Sequence, residues 1–235
     1  MGRKNSAKRR SWRRYAIATV LLAAIAVAAW YWWEMKHWAP DEAIYPDQGV
    51  AVDQANGLVG FDTVRALGGK FAYVAASAGA GEKDTRFARN VEAAARAGLK
   101  TGAIHIFDPC SSADRQSANF ARIVPRNPEL LPPVIALDKS GTACPERVSD
   151  ARVESELMTL VNQIEMHVGK RAILKIYPGF EREYGLAQQL DRDLWLVRDR
   201  FVPDYGGRPW LLWSANTARV TEASDEPLEW VVVQP

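Results

Sequence analysis

The sequence predicts an α/β fold: a closed, TIM-like barrel of eight strands, irregular in its last third, after one N-terminal transmembrane helix. Three observations predict it. A long apolar run follows a basic N-terminal segment, short apolar runs then alternate with helical patterns, and the final runs follow each other with little helix between them. Strand–helix alternation implies parallel strand pairs joined by right-handed crossovers. Eight such strands are expected to close into a barrel.

The N-terminal region has the pattern of a membrane anchor. Residues 1–14 carry seven positive charges and no acidic residue, and Tyr15 to Trp33 contain Thr19 as the one clearly polar side chain. As a helix, this run would span roughly 28 Å, close to the hydrocarbon thickness of a bilayer. The aromatic residues 30–33 suit the far interface, and the basic cluster keeps the N-terminus inside. We therefore predict a cytoplasmic segment at 1–14 and a transmembrane anchor at 15–33.

A cleaved signal peptide is the alternative, because Ala26–Ala28 offers a small-residue cleavage site. Both interpretations export the remainder of the chain. Without residues 1–33, the 30 basic residues fall to 23 against 28 acidic ones, a net charge of −5. The basic character is thus an orientation signal, and no nucleic-acid partner is expected. Residues 34–48 are interpreted as a tether, and residues 49–235 as a single domain.

Apolar periodicity defines the elements of this domain. A helix is predicted over 86–97, with Phe87, Val91, Ala94 and Ala95 on one face, and a second over 150–168. Gly98 and Gly169 are the corresponding stop signals. The predicted strands, in chain order, are 49–53, 70–77, 100–107, 133–138, 171–177, 193–198, 210–214 and 228–233.

The chain has two cysteines, Cys110 and Cys144. Each follows one of two consecutive predicted strands, so that a disulfide could join neighbouring loops in an oxidising compartment. Two separate free thiols are the alternative. Neither cysteine has the spacing of a zinc ligand and the three histidines are scattered, so we expect no metal site and no cofactor.

Five stretches, taken in order and spacing, carry a resemblance to a known family. They are QGVAVDQANG (48–57), FAYVAASAG (71–79), DTRFARNVEAAARAGLKTGAIHIF (84–107), RQSANF (115–120) and PPVIALD (132–138). Together they resemble the family 25 glycoside hydrolases, the lysozymes that cut peptidoglycan. The resemblance implies a barrel of five strand–helix units and three further strands, (β/α)5(β)3.

The resemblance also locates the functional side chains of the family, and most of them are replaced. The Asp-x-Glu pair at the end of the PPVIALD strand falls on Ala136 and Asp138, and the Asp of the first strand falls on Ala51. The Lys and Glu of the second strand, the Tyr of the third strand and the final Trp-Gln-Tyr fall on Ala75, Ala78, Ile104, Trp213, Ser214 and Ala215.

Glycoside cleavage needs an acid for the leaving oxygen and a second group that stabilises the charge on the sugar. Ala136 can do neither, and Asp138 is one methylene shorter than the family's Glu. Asp53 shares a strand face with Ala51, so that it could pair with Asp138; a solvated or capping residue is the alternative for Asp53. Candidate substrate-binding residues are His105, kept from the family's Tyr-His-Phe, and the aromatics Trp195 and Trp213, which could stack on a sugar. The alternatives are a hydrogen-bonded barrel residue for His105 and core or membrane roles for the tryptophans.

These observations predict a single-pass protein of the inner or plasma membrane with its barrel on the periplasmic or extracellular side. The expected partners are the membrane and peptidoglycan or another glycan; a protein partner is not identified. The preferred function is glycan binding by a catalytically impaired lysozyme-like domain. A divergent hydrolase that uses Asp138 with Asp53, and an envelope scaffold, are the alternatives, so that enzymatic activity stays open.

Overall fold

A computed structural model describes residues 4–235, with side chains for Trp12 and from Tyr15 onward. The chain divides into two compact units, residues 1–38 and 39–235. The first contains one helix, α1 (Lys4–His37). Its part from Tyr15 to His37 is long and apolar enough to cross a membrane, although a signal sequence has the same properties. Residues 1–3 of the predicted basic segment, and its side chains other than that of Trp12, lie outside the described residues.

The second unit is an α/β barrel whose strands match the predicted apolar runs. The strands are β1 (Gln48–Val52), β2 (Gly69–Ala78), β3 (Glu82–Lys83), β4 (Lys100–Ile106), β5 (Val134–Leu137), β6 (Ile173–Ile176), β7 (Asp193–Val197), β8 (Leu212–Arg219) and β9 (Leu228–Val233). Eight of them form the closed barrel, and the two-residue β3 pairs with the edge of β2.

The strand order explains why the last third of the barrel is irregular. Neighbouring strands from β1 to β8 pair in parallel around the barrel. The last strand, β9, is antiparallel to both β8 and β1 and completes the closure. Antiparallel neighbours need no crossover helix, and none lies between β8 and β9.

Helices cover the outside of the barrel. They are α2 (Phe61–Ala66), α3 (Phe87–Arg96), α4 (Ala113–Ile123), α5 (Asp150–Val168) and α6 (Pro178–Tyr184). The predicted helices α3 and α5 are confirmed, and Gly98 and Gly169 adopt the left-handed conformation expected after a helix end. The buried face predicted for α3 is wrong at one position. Ala95 is exposed and Asn90 is buried in its place, because the helix is rotated slightly toward Asn90.

Alternation along the strands divides the core into two layers. Inward-facing side chains fill the barrel, with aromatic rings of Phe71, Tyr73 and Trp195 below the small residues Ala51 and Ala136. Outward-facing side chains pack against the helices, among them the apolar face of α5, which buries Val153, Leu157, Leu160, Val161 and Ile164.

The segment that precedes β1 is fastened to the barrel. The Gln48 side-chain amide donates to the carbonyls of Pro40 and Tyr45, at 3.0 and 2.9 Å. The Tyr45 ring packs edge-on against Trp213. Residues 39–48, which the sequence suggested as part of a tether, therefore belong to the barrel unit, and α1 extends four residues beyond the predicted anchor.

Candidate functional site

A pocket opens at the carboxyl end of the parallel strands, where ligand sites of barrel enzymes are found. Its volume is about 190 Å3, below the range of roughly 300–1,000 Å3 that is usual for ligand pockets. It therefore suits one small unit, such as a single sugar ring. The lining residues are Ala51, Val52, Asp53, Asn56, Ala75, Ile104, Ile106, Ala136, Lys175, Tyr177, Thr217, Pro227 and Glu229.

One wall of the pocket is built from the replaced family positions. Ala51, Ala75, Ile104 and Ala136 come from four neighbouring strands, and all four line the pocket. They converge because each occupies an inward position of its strand at the same end of the barrel. Where the resemblance places charged or hydroxyl-bearing side chains, this wall is apolar.

The opposite wall contains an ion pair that the sequence analysis missed. The ammonium of Lys175 on β6 lies 2.7 Å from the carboxylate of Glu229 on β9, and both side chains are largely buried. Ser214 on β8 donates a hydrogen bond to the same carboxylate. Ser214 in turn accepts one from the Trp195 indole, at 2.7 Å. Four strands, β6, β7, β8 and β9, thus contribute side chains to one polar network in the barrel.

Electrostatics keep the Lys175 ammonium charged. Burial opposes the charge on Lys175 most strongly, but the Glu229 carboxylate and the Tyr177 hydroxyl together outweigh it and raise the pKa of the ammonium. The Lys175 ammonium also lies 4.6 Å from the centre of the Trp195 ring, a cation–π distance. Lys175 is therefore a buried ammonium at neutral pH, and the unprotonated amine that a nucleophile requires is absent.

The sequence did contain a signal for this pair. Lys175 interrupts the apolar strand Ile173–Ile176, and Glu229 alternates with the inward Val231 on the last strand. A charged residue at an inward position of a barrel strand needs a partner, because a buried unpaired charge is costly. Pairing the two would have required knowing that β6 and β9 face each other across the barrel.

Asp53 lies where the sequence placed it, at the end of β1, and it lines the pocket. Its carboxylate accepts a hydrogen bond from the Ala55 backbone N–H at 2.7 Å and caps a short 3-10 helix, Gln54–Asn56. The Asn56 side chain completes a capping box by accepting from the Asp53 backbone N–H. Asp53 therefore has a structural role besides its position at the pocket.

Asp138 follows the last residue of β5 and is exposed to solvent. It does not belong to the lining residues of the pocket. Burial is the main factor that raises the pKa of the nearby Tyr177 hydroxyl; Lys175 opposes the rise, and Glu229 and, least of all, Asp138 add to it. The structure thus brings Asp53 into the pocket and leaves Asp138 outside the lining.

His105 lies on the other face of β4, away from the pocket-lining Ile104 and Ile106. Its ring is fully buried between the Ser77 hydroxyl, 2.8 Å from Nδ1, and the Gln116 side chain, 3.3 Å from Nε2. Burial lowers its pKa to about 4, so that the ring is neutral. These contacts join the barrel to helix α4 and give His105 a packing role there.

The two candidate stacking residues are also buried. Trp195 lies inside the barrel beneath Lys175, with its ring 5.2 Å from that of Tyr73. Trp213 faces outward, where its indole donates to the Arg198 carbonyl at 2.7 Å and its ring contacts Tyr45 and Trp210. Neither ring presents a face to the pocket, because alternation along β7 and β8 directs one inward and the other toward the outer layer.

Two loops at the same end of the barrel are joined covalently. Cys110, in the loop before α4, forms a disulfide with Cys144, in the loop after β5. Among the residues that the structure describes, no group of three His, Cys, Asp or Glu side chains is arranged to hold a metal ion.

Comparison with known proteins places this barrel in a family. The sequence pattern described as Glycosyl hydrolases family 25 matches residues 50–213. A family 25 glycosyl hydrolase from Bacillus anthracis superposes with a TM-score of 0.76 at 23% identity, over 85% of this chain and 93% of that chain. A bacterial lysozyme from Streptomyces coelicolor gives a TM-score of 0.70 at 20% identity, over 80% of this chain and 92% of that one.

A curated relative matches a shorter stretch. Lysozyme M1 of Streptomyces globisporus is 34% identical over 73 residues, which are 31% of this chain and 25% of that protein. The match therefore spans about a quarter of the relative's length. The family pattern, in contrast, covers well over half of the chain, and the barrel agrees with solved structures that share it. The protein belongs to family 25 of the glycosyl hydrolases.

Proposed function

We propose that this protein is a membrane-anchored, exported family 25 domain that binds peptidoglycan or a related glycan without cutting it by the family's carboxylate mechanism. The observation that carries the proposal is the apolar wall formed by Ala51, Ala75, Ile104 and Ala136 in the pocket at the end of the barrel. That wall preserves a site of the size of one sugar ring while the groups that would act on the glycosidic bond are replaced.

The chemistry of the remaining carboxylates supports loss of cleavage. Hydrolysis needs a protonated acid and a second, ionised group about 5–9.5 Å away. Among the described lining residues the carboxylates are Asp53, which caps a helix, and Glu229, which is bound to Lys175 and Ser214. The contacts with the Lys175 ammonium and the Ser214 hydroxyl hold the Glu229 carboxylate in the polar network of the barrel, so that it is not free to approach a glycosidic oxygen.

The location proposed for the domain follows from the N-terminal helix. The apolar stretch Tyr15–His37 is treated as a retained anchor, with the basic N-terminus in the cytoplasm and the barrel on the periplasmic or extracellular side. The disulfide between Cys110 and Cys144 suits an oxidising compartment of this kind. The same proposal assigns the barrel the irregular (β/α)5(β)3 architecture that the resemblance implied.

Sedimentation with insoluble peptidoglycan tests the binding function. The full chain in detergent should pellet with peptidoglycan, while the release of soluble saccharide stays at background. Ala75→Phe fills the pocket from its half-buried wall and should reduce the pelleted fraction, because the added ring occupies the space that the sugar would take. Ala95→Phe adds the same side chain on the exposed face of α3 and should bind like the wild type. Equal binding by both variants would place the glycan elsewhere.

A divergent hydrolase is the second candidate, because Asp53 lines the pocket and Asp138 follows the strand that carries Ala136. In that case the wild type should release soluble saccharide from peptidoglycan, and Asp138→Asn should abolish the release. Such a result would overturn the binding proposal. Absence of both binding and release would favour the third candidate, an envelope scaffold with an unused groove.

A further inference from the structure

A second pocket opens at the opposite end of the barrel, where the parallel strands begin. Its volume is about 290 Å3, close to the lower end of the range of roughly 300–1,000 Å3 that is usual for ligand pockets. The apolar side chains of this amino-end pocket include Phe71, Tyr73, Leu131, Pro132, Leu211 and Val233. Leu131, Leu211 and Val233 are half-buried, so that apolar groups form the mouth of the pocket as well as its interior.

Aromatic rings separate this pocket from the one at the carboxyl end of the strands. The Tyr73 ring lies 6.0 Å from that of Phe71 and 5.2 Å from that of Trp195. On its other side Trp195 faces the Lys175 ammonium of the carboxyl-end pocket. The two pockets share no lining residue, so that the amino-end pocket is a separate site.

The charged side chains of this pocket are two lysines and one aspartate, a net charge of one positive. Lys70 lies 2.9 Å from Asp47, and both side chains are more than half exposed, so that the pair is weak. Lys100 is exposed, and its ammonium has no ion-pair or hydrogen-bond partner among the residues that the structure describes. A lysine can lay its methylene groups along an apolar surface while its ammonium stays in water. An apolar mouth with ammonium groups beside it matches an amphiphile that has an alkyl chain and an anionic head.

The connection of the chain indicates where such an amphiphile comes from. Gln48 is the first residue of β1, and its side chain holds the Pro40 carbonyl at the amino end of the barrel. The apolar stretch that is long enough to cross a membrane ends at His37. The three residues from there to Pro40 reach about 10 Å when fully extended. Chain length alone therefore keeps the amino end of the barrel close to the surface of a membrane in which this stretch is anchored.

We propose that the amino end of the barrel is a membrane-docking face, whose pocket takes an acyl chain of an anionic phospholipid while Lys100 and Lys70 contact the headgroup. The inference rests on the retained anchor of the proposed function and adds a second contact with the same membrane. Its consequence is an orientation of the barrel. With the amino end on the bilayer, the carboxyl-end pocket opens away from the membrane, toward the peptidoglycan.

Crosslinking from the lipid tests the docking face. The full chain is placed in nanodiscs that contain phosphatidylglycerol with a photoreactive diazirine in its acyl chain, and the adducts are mapped by mass spectrometry after irradiation. Adducts are expected on α1, which the bilayer surrounds, and in the barrel on residues 70–73, 131–132 and 211–212. Residues 81–83, at the carboxyl end, should carry none. Adducts on α1 without any on the amino-end segments would overturn the inference.

A charge substitution tests the contact with the headgroup. Lys100→Gln should lower the ratio of barrel adducts to α1 adducts roughly fivefold, because a lysine near an anionic surface contributes about that factor. Lys83→Gln makes the same change on the exposed strand β3, at the carboxyl end, and should leave the ratio unchanged. Both lysines are exposed, so that both variants should fold. Nanodiscs of phosphatidylcholine with the same diazirine should also give a lower ratio for the wild type. Equal ratios in all these cases would overturn the role of the anionic head.

The outcomes separate the inference from the proposed function. If α1 carries adducts and the barrel does not, the anchor stands and the docking face fails. If neither carries adducts, the anchor fails as well, while pelleting with peptidoglycan still tests glycan binding independently. A lysine-reactive crosslinker that joins Lys100 of two copies, in a sample without lipid adducts on the barrel, would assign the face to a second copy of the chain and overturn the inference.

Discussion

At the scale of single residues, the Lys175–Glu229 pair links the stability of the barrel to its pocket. Removing one partner leaves the other charge buried, which costs about 3–5 kcal/mol in comparable pairs, whereas replacing both is often close to neutral. We therefore expect Lys175→Met and Glu229→Gln each to lower the free energy of unfolding by about that amount, and the double variant to lower it by much less. Urea denaturation at pH 7 measures all three.

The pH dependence of that contribution has a definite sign. The folded pKa of Lys175 is raised, so the contribution of its charge is complete below the unfolded value of about 10.4 and is lost as the pH rises through the folded pKa. Equal losses at pH 7 in the double and single variants would show that the ion pair is not a coupled unit.

The lowered pKa of His105 predicts a pH dependence of stability with the opposite sign, in the acid range. Its pKa falls from an ordinary value of 6.5 to about 4 in the folded protein, chiefly through burial. Between these values the unfolded chain binds more protons, so stability is complete above pH 6.5 and is lost as the pH falls toward 4. The loss should reach about 3 kcal/mol at pH 4.

Denaturation curves between pH 7 and 4 measure this loss, and His105→Gln is the control. Glutamine keeps polar atoms between Ser77 and Gln116 but does not titrate in this range. The variant should lose about 3 kcal/mol less than the wild type over the same interval. Identical slopes would mean that the acid sensitivity comes from carboxylates elsewhere in the barrel.

At the scale of elements, a glycine on β4 makes room for the aromatic stack beneath the pocket. A Cβ at Gly102 would lie 2.2 Å from a ring carbon of Tyr73. That ring packs against Trp195, whose face contacts Lys175. The β2–β4 pairing therefore depends on a missing side chain at this position.

We expect Gly102→Ala to lower the free energy of unfolding by about 1–3 kcal/mol, because overpacking in a filled core forces side chains to shift. Gly81→Ala is the matched control, since a Cβ there meets no atom within 4 Å and the backbone is not in the left-handed region. Thermal and urea unfolding of both variants check the prediction. A Gly102→Ala protein as stable as the control would mean that the Tyr73 ring can move freely.

At the scale of the whole molecule, local periodicity predicted the barrel but not its interior. The eight barrel strands and the helices α3 and α5 coincide with apolar runs, because burial on one face leaves a repeat in the sequence. The short helices α2 and α6 have too few turns to leave a clear repeat. The Lys175–Glu229 contact joins residues 54 positions apart. It exists because β9 closes the barrel in an antiparallel sense, which no local pattern specifies.

The candidate site was predictable to a similar extent. The resemblance located Ala51, Ala75, Ile104 and Ala136, and the structure brings these four together. His105, Trp195 and Trp213 were selected by residue type, but the direction in which each side chain points depends on strand register and packing. A shift of one residue along a strand turns the side chain to the opposite face of the sheet. Residue type alone therefore does not distinguish an aromatic ring that binds a ligand from one that packs in the core.

The N-terminal helix leads to a prediction about the whole chain in the cell. If Tyr15–His37 is a retained anchor, the full chain should sediment with membranes, resist alkaline carbonate extraction and keep the mass of all 235 residues, 26.1 kDa. Leu22→Arg/Ile25→Arg should release it, because each arginine near the centre of a span costs about 2.5–3.5 kcal/mol. Ala43→Arg, in the exposed segment before β1, is the control and should stay in the membrane fraction. A mature chain that starts after Ala28 would instead identify a cleaved signal peptide, and the barrel would then be a soluble exported protein.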